Sequence, residues 1–311
     1  MGEKEWEAIR ELSQRLDRLQ HELWTLKASQ AAWVHPVESA LSQRGLPVVS
    51  HGDTSQVIIP PEAPQEAVDR LYALLRRYSF RLFLRDAIRT SHGESLEPLT
   101  RYCSPKTVRC YLKELEHMGL VRMDSQWRWQ WIRPPVPSFG PTLEWYVWQI
   151  FQREFLAPAI FNVRLNRTRH GGDYDVIALV NHRLVYVEVK SSPPRGVEMP
   201  AVKAFLNRLK DLQPEVAVFL VDTELRMRDK IAVLFEEALA DSRESLDNRE
   251  VCRLVHELFH IGHSVYLINS RRGIYSNLRV CLRDAFRWHA LAGPSSTIKV
   301  AGRPRASKEN V

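Results

Sequence analysis

Asp175, Glu188 and Lys190 stand in two apolar stretches, GGDYDVIALV and HRLVYVEVK, whose composition reads as a pair of β-strands. On the second strand Leu184, Tyr186, Glu188 and Lys190 share one face, and Val185, Val187 and Val189 the other. A carboxylate and an amine on so apolar a strand are costly unless they are paired or hold a metal. A two-residue turn at Asn181 and His182 would pair Val180 with Arg183, setting Asp175 opposite Glu188 and Asp173 opposite Lys190. A three-residue turn would shift the register by one and part the faces. Carboxylates facing each other across a ladder repel, and a divalent cation between them relieves the repulsion. Mg²⁺, or Mn²⁺ in its place, suits hard oxygen donors and lowers the pKa of bound water. A lysine beside such an ion should find its ammonium form disfavoured and serve as a proton acceptor.

A third carboxylate comes from upstream. Glu144, in the helical segment TLEWYVWQIFQREF, lies along the apolar stripe of Leu143, Val147, Ile150 and Phe151 and is expected to face inward. Glu154 borders the same stripe as a rival, and Asp173 would replace Asp175 if the register slipped; otherwise Asp173 is expected to pair with Lys190. Strands at IFNVRL, YDVIALV and LVYVEVK, a helix at PAVKAFLNRLK and a strand at VAVFLV complete the order.

Glu144 on the leading helix, Asp175 in GGDYDVIA and the E-V-K triplet Glu188, Val189, Lys190 together resemble the PD-(D/E)XK nuclease superfamily, from Leu143 to Val221. The resemblance implies a restriction-endonuclease-like αβββαβ core with a mixed sheet and Mg²⁺-dependent hydrolysis of nucleic acid. It implies Asp175, Glu188 and the Val189 carbonyl as metal ligands. Lys190 would position or activate water, and Glu144 would complete the site directly or through water. No Q-x-x-x-Y follows the E-x-K, so the subgroup stays open. Arg164, Arg167, Arg169 and His170, and later Lys203, Arg208 and Lys210, read either as phosphate guides or as solvated basic edges.

What would position the nucleic acid lies before this core. Residues 67–133 resemble a winged helix-turn-helix domain: a helix around Phe80 to Ile88, a turn at Cys103, then SPKTVRCYLKELEHMGL. Ser104 suits the N-cap, Pro105 the first helical position, and Gly119 the stop. Val108, Leu112 and Leu115 are expected inside, leaving Lys106, Thr107, Arg109, Cys110 and Lys113 outward. The segment LVRMDSQWRWQWIR reads as a wing, with Arg128 available to a phosphate and Trp127, Trp129 and Trp131 alternating onto one face. From Glu66 to Arg133 the chain carries 13 cations and 8 anions, a net +5. Cations on phosphates and a helix in a groove are the expected contacts.

The remaining sequence frames these parts. Ile9, Leu12, Leu16, Leu19, Leu23 and Leu26 make a heptad seam, expected as a homodimeric coiled coil over 1–33 or a helix packed on its own chain. Residues 34–66, with four prolines after Arg44, read as a linker. The nuclease-like domain is expected over 139–291 and a disordered basic tail over 292–311, where G-R-P-R resembles an AT-hook core. H-E-L-F-H at His256 to His260 matches the zinc-protease pattern, but Gly262 interrupts it; it reads as a helix face carrying two histidines. The four cysteines form no C-x-x-C, no apolar run is long enough for a membrane span, and MGEKEWEAIRELSQR is charged where a signal peptide is apolar. The 311 residues, 44 % apolar with a net charge of +7, therefore read as a cytoplasmic α+β protein of about two domains. The functional expectation is a Mg²⁺-dependent nuclease with DNA ahead of RNA. The alternative is a non-catalytic winged-helix regulator whose nuclease-like domain is inactive or senses a ligand.

Overall fold

The computed structural model describes residues 34–90, 92–93, 95–241 and 250–292, with helical positions 15, 19 and 22. The heptad seam, those positions apart, and residues 293–311 lie outside the described residues.

The described chain is a mixed α+β structure of eight helices, a large mixed sheet and a small antiparallel one. It begins with α1 (Pro36–Gln43) and β1 (Val48–Ser50). These residues were expected as linker, yet Val37 and Leu41 have no exposed surface. One turn apart on α1, they bury the helix against the large sheet, and β1 pairs antiparallel with its edge strand. Pro36 opens α1 and Pro47 precedes β1, while Pro60, Pro61 and Pro64 lie in the irregular stretch that follows, where Val57, Ile58 and Ile59 are also buried.

Next come α2 (Gln65–Leu75), α3 (Tyr78–Thr90), β2 (His92–Gly93), α4 (Pro105–His117), β3 (Val121–Met123) and β4 (Trp129–Trp131). Ser104 caps α4 by accepting the Thr107 N–H at 3.2 Å, and Pro105 opens the helix where an N–H would be idle. Strands β2, β4 and β3 form the three-stranded antiparallel sheet. Trp129 is buried and meets Trp131 edge-on. Trp127 departs from the expected alternation: it lies in the turn before β4 with a left-handed backbone, φ 63°, and turns toward α4.

The third group is α5 (Gly140–Arg153), β5 (Ala159–Leu165), β6 (Asp173–Val180), β7 (Arg183–Lys190), α6 (Met199–Leu212), β8 (Val216–Val221), α7 (Val233–Asp241), β9 (Val251–Val255), β10 (Leu258–Ile261), β11 (Val265–Ile268) and α8 (Ile274–Ala292). The large sheet runs β1-β5-β6-β7-β8-β11-β10-β9, parallel across β7-β8-β11 and antiparallel elsewhere. H-E-L-F-H is not helical. His256 and Glu257 form the turn of the β9–β10 hairpin, and His260 sits on β10, because alternation around Val251, Val255 and Ile261 favours a ladder.

One core joins α2, α3, α4, α5 and α8 to the Val185, Val187 and Val189 face of the sheet. The other joins α1, α6 and α7 to the Leu184 and Tyr186 face. The N-terminal helices therefore share a continuous apolar core with the sheet. No helix of the described residues is long and apolar enough to cross a membrane.

Candidate active site

The β6–β7 hairpin has the short turn. Asn181 and His182 both adopt positive φ, 50° and 59°, and Val180 pairs with Arg183. The regular ladder continues to Val176 opposite Val187. One step on, the Asp175 carboxylate accepts the Val189 N–H at 2.6 Å. A local inversion explains how that side chain gets there. On β6, Val176 belongs to the first core but Tyr174 to the second; on the paired strand β5, Phe161 belongs to the first and Val163 to the second. Both strands change faces at one rung, that of Asp175 and Asn162, and Asn162 supplies the left-handed backbone, φ 50°. Asp175 is thereby released from strict alternation at the point where its carboxylate is needed beside β7.

Glu188 is 1 % exposed. Its Oε1 accepts from Lys190 Nζ at 2.6 Å and Arg208 Nη1 at 2.9 Å; its Oε2 accepts from Arg208 Nη1 at 2.8 Å and from the Tyr186 hydroxyl. Burial and the Glu188 charge push the Tyr186 phenol well above its ordinary value, so it remains a donor. Arg208 reaches Glu188 from α6, where it lies near the buried Phe205 and Leu212. A Cβ on Gly172 would lie 2.8 Å from Arg208 Nη2, and Gly172 has φ 93°. The Gly171–Gly172 turn thus closes over the guanidinium as only glycine permits.

Glu144 faces inward from α5 as expected. Burial, then the Glu188 charge, lift its carboxyl to about 7, against the pull of Lys190. Burial, Glu188 and Glu144 together hold Asp175 well above the usual carboxylate range, while Lys190 and the Val189 N–H oppose the rise. Asp175, Glu188, Lys190, Val189 and Glu144 are therefore one electrostatic unit. Gly140 borders it: a Cβ there would stand 3.9 Å from both Glu144 Oε1 and Ser191 Oγ.

The two rival carboxylates stand elsewhere. Asp173 is exposed and binds Arg164 at 2.9 Å, not Lys190, whose ammonium is drawn to the nearer Glu188 on its own strand. Glu154 accepts from Tyr72 at 2.8 Å on the side of α5 that meets α2. Of the basic residues before β6, His170 binds Asp211 on α6, and Arg167 and Arg169 are exposed.

Two contacts could not be read from local pattern. Arg81 on α3 is fully buried and grips Asp222, just past β8, with Nη2 at 2.8 Å and Nε at 3.0 Å. The Asp222 N–H in turn donates to the Lys190 carbonyl at 2.8 Å. Arg85, one turn along α3, donates to the Ser191 carbonyl at 3.3 Å. The helix before α4 is thus tied to the strand end that carries Lys190.

On α4, Lys106, Arg109 and Lys113 are exposed, and Thr107 is half-buried at the capped end. Arg109 and Lys113 lie over the Trp127 ring at 5.1 and 5.5 Å, forming a basic, aromatic ridge between helix and turn. Arg128 pairs with Asp124 across the turn at 2.6 Å.

Among the described residues no three His, Cys, Asp or Glu side chains are already disposed as metal ligands. The donor chemistry nonetheless suits a hard cation. Asp175 and Glu144 are crowded carboxyls whose charge is disfavoured by burial and by Glu188, which a divalent ion would relieve. Glu188 differs, since four protein donor contacts already occupy its oxygens.

No family model matches the chain, and no curated protein matches it. Among solved structures it is similar to protein VC1899 from Vibrio cholerae, with 17 % identity and a TM-score of 0.47, over 83 % of this chain and 62 % of that one. It is also similar to Can2 from Sulfobacillus thermosulfidooxidans, solved in complex with cyclic tetra-adenylate, with 13 % identity and a TM-score of 0.44, over 79 % of this chain and 61 % of that one. The chain thus spans about three fifths of the length of both.

Proposed function

We propose that the chain is a metal-dependent nuclease of the PD-(D/E)XK kind, hydrolysing phosphodiester bonds in nucleic acid, with DNA as the favoured substrate. The observation that carries this reading is the meeting of Asp175, Glu188 and Lys190 around Val189 with Glu144 behind them. Asp175 and Glu144, with Glu188 once a donor yields and with the Val189 carbonyl, would hold Mg²⁺ or Mn²⁺. When bound, the ion supplies charge neutralisation at the phosphate and acidifies water. Lys190, held by Glu188, would orient the attacking water with its ammonium. Arg208 holds the Glu188 carboxylate in place until the substrate phosphate competes for the guanidinium.

Residues 67–133 fit a winged helix-turn-helix, with α4 as the groove helix and the β3–β4 turn as the wing. Lys106, Thr107, Arg109, Lys113 and Arg128 are the proposed contacts; the first turn of α4 is turned to bases and the cations to phosphates. A homodimer through the heptad seam would pair two sites, and light scattering showing a monomer at working concentration would remove that part.

The second reading is a non-catalytic winged-helix regulator. It is favoured by one observation, the occupation of both Glu188 oxygens by protein donors. Labelled single- and double-stranded DNA and RNA, incubated with Mg²⁺, Mn²⁺ or chelator, separate the two. Cutting that requires metal and is lost at least about 100-fold in Glu188→Gln and Lys190→Ala, with binding retained, is expected. Binding without cutting under every metal would establish the regulator instead.

A further inference from the structure

Arg279, Arg283 and Arg287 recur every fourth residue on α8 and are all exposed. Like charges at this spacing repel along a helix, and the carboxylate on α8, Asp284, is engaged by His263 and Tyr266. They border a shallow, open concavity between α8 and the β6–β7 turn, lined also by Phe155, Leu282 and Phe286. The aromatic lining is extended by Tyr275, whose ring lies 5.3 Å from Phe155 and carries Arg279 over its face. A fourth guanidinium, that of Arg183 at the start of β7, lies over Phe286. This groove is at the turn end of the hairpin, about 17 Å along β6 from Asp175 at ordinary strand rise, so it is no part of the carboxylate cluster.

We propose that this groove binds a single-stranded nucleic acid segment, with backbone phosphates on the Arg279–Arg283–Arg287 row and base faces against Phe286 and Phe155. The row advances about 6 Å per arginine, a step that a flexible phosphate backbone can follow. Cations that track a backbone beside rings that stack bases are the general means of binding single strands, and duplex bases cannot offer their faces to the floor. An acidic peptide would satisfy the arginines but leave the rings without stacking partners. The proposal concerns binding alone and stands whether or not Asp175, Glu188 and Lys190 cut.

The test is fluorescence anisotropy of a short labelled oligothymidylate and of a duplex, both with chelator so that no metal-dependent cutting intervenes. Substituting the row together, Arg279→Gln, Arg283→Gln and Arg287→Gln, is expected to weaken single-strand binding about tenfold. It should also make the slope of log affinity against log salt shallower by about 2, leaving duplex binding unchanged. Phe286→Ala should weaken single-strand binding without altering that slope, a change that lost charge alone does not produce. Lysines at the three positions should keep most of the affinity and the slope, which separates charge from misfolding. Equal single-strand affinity in the glutamine variant would overturn the proposal. So would equal displacement of the oligonucleotide by poly-glutamate, or conversion of a dimer to a monomer by the same substitutions with binding intact.

Discussion

Glu144 and Asp175 are held above their ordinary range by burial and by neighbouring negative charge, and this has a thermodynamic consequence. A carboxyl whose folded-state pKa is raised contributes stability below its unfolded pKa and loses it as pH rises through the folded value. For Glu144 that window runs from about 4.5 to about 7. Glu144→Gln removes the group, so the variant should melt near the parent at about pH 4 and above it by several degrees at about pH 8. Calorimetry across that range checks this, and a constant difference would refute it. On the proposed metal-dependent reading, adding Mg²⁺ at the higher pH should raise the parent's melting temperature more than the variant's, the ion then acting as countercharge. Arg208 matters by the same logic in reverse. Arg208→Met would leave Glu188 at 1 % exposure with only Lys190 as a charged partner, and a loss of about 3–5 kcal/mol by denaturant titration is expected.

At the scale of elements, the face inversion at Asn162 and Asp175 positions the site. Asn162 holds φ 50°, which asparagine adopts readily and a β-branched residue does not. Asn162→Gly should be nearly neutral, whereas Asn162→Val should cost about 1–2 kcal/mol and, on the proposed metal-dependent reading, weaken Mg²⁺ binding by turning Asp175 away from Val189. Urea titration and metal titration of both variants read the two effects. The hairpin register was legible from Asn181 and His182, because a two-residue turn needs positive φ and asparagine tolerates it. The inversion was not legible: alternation assumes a regular strand, and a single left-handed residue on the neighbouring strand leaves no mark in the pattern of β6 itself. Reading H-E-L-F-H as a helix failed because i, i+4 spacing marks a helical face only where the segment is helical, and the valines around it favour a ladder. Arg208 left a partial signal, as a cation within the apolar stripe that includes Phe205 and Leu212.

Across the whole molecule, the pair Arg81 and Asp222 spans 141 positions in sequence, so no local pattern could have announced it. Removing one partner of such a buried pair should be severe: Arg81→Met is expected to cost about 3–5 kcal/mol, and thermal unfolding should remain a single transition because one apolar core serves both regions. Two resolved transitions in the parent would contradict the shared core. The same linkage also assigns mechanical roles. Between the proposed groove helix and the Lys190 carbonyl there is α3, a guanidinium with almost no surface, and one main-chain bond, none of which offers slack. On the proposed reading, a duplex gripped by α4 would meet an unyielding jig: any kinking or strand separation required to bring a phosphate to Glu144 and Asp175 would be borne by the polynucleotide, and sequences that deform cheaply would be processed first.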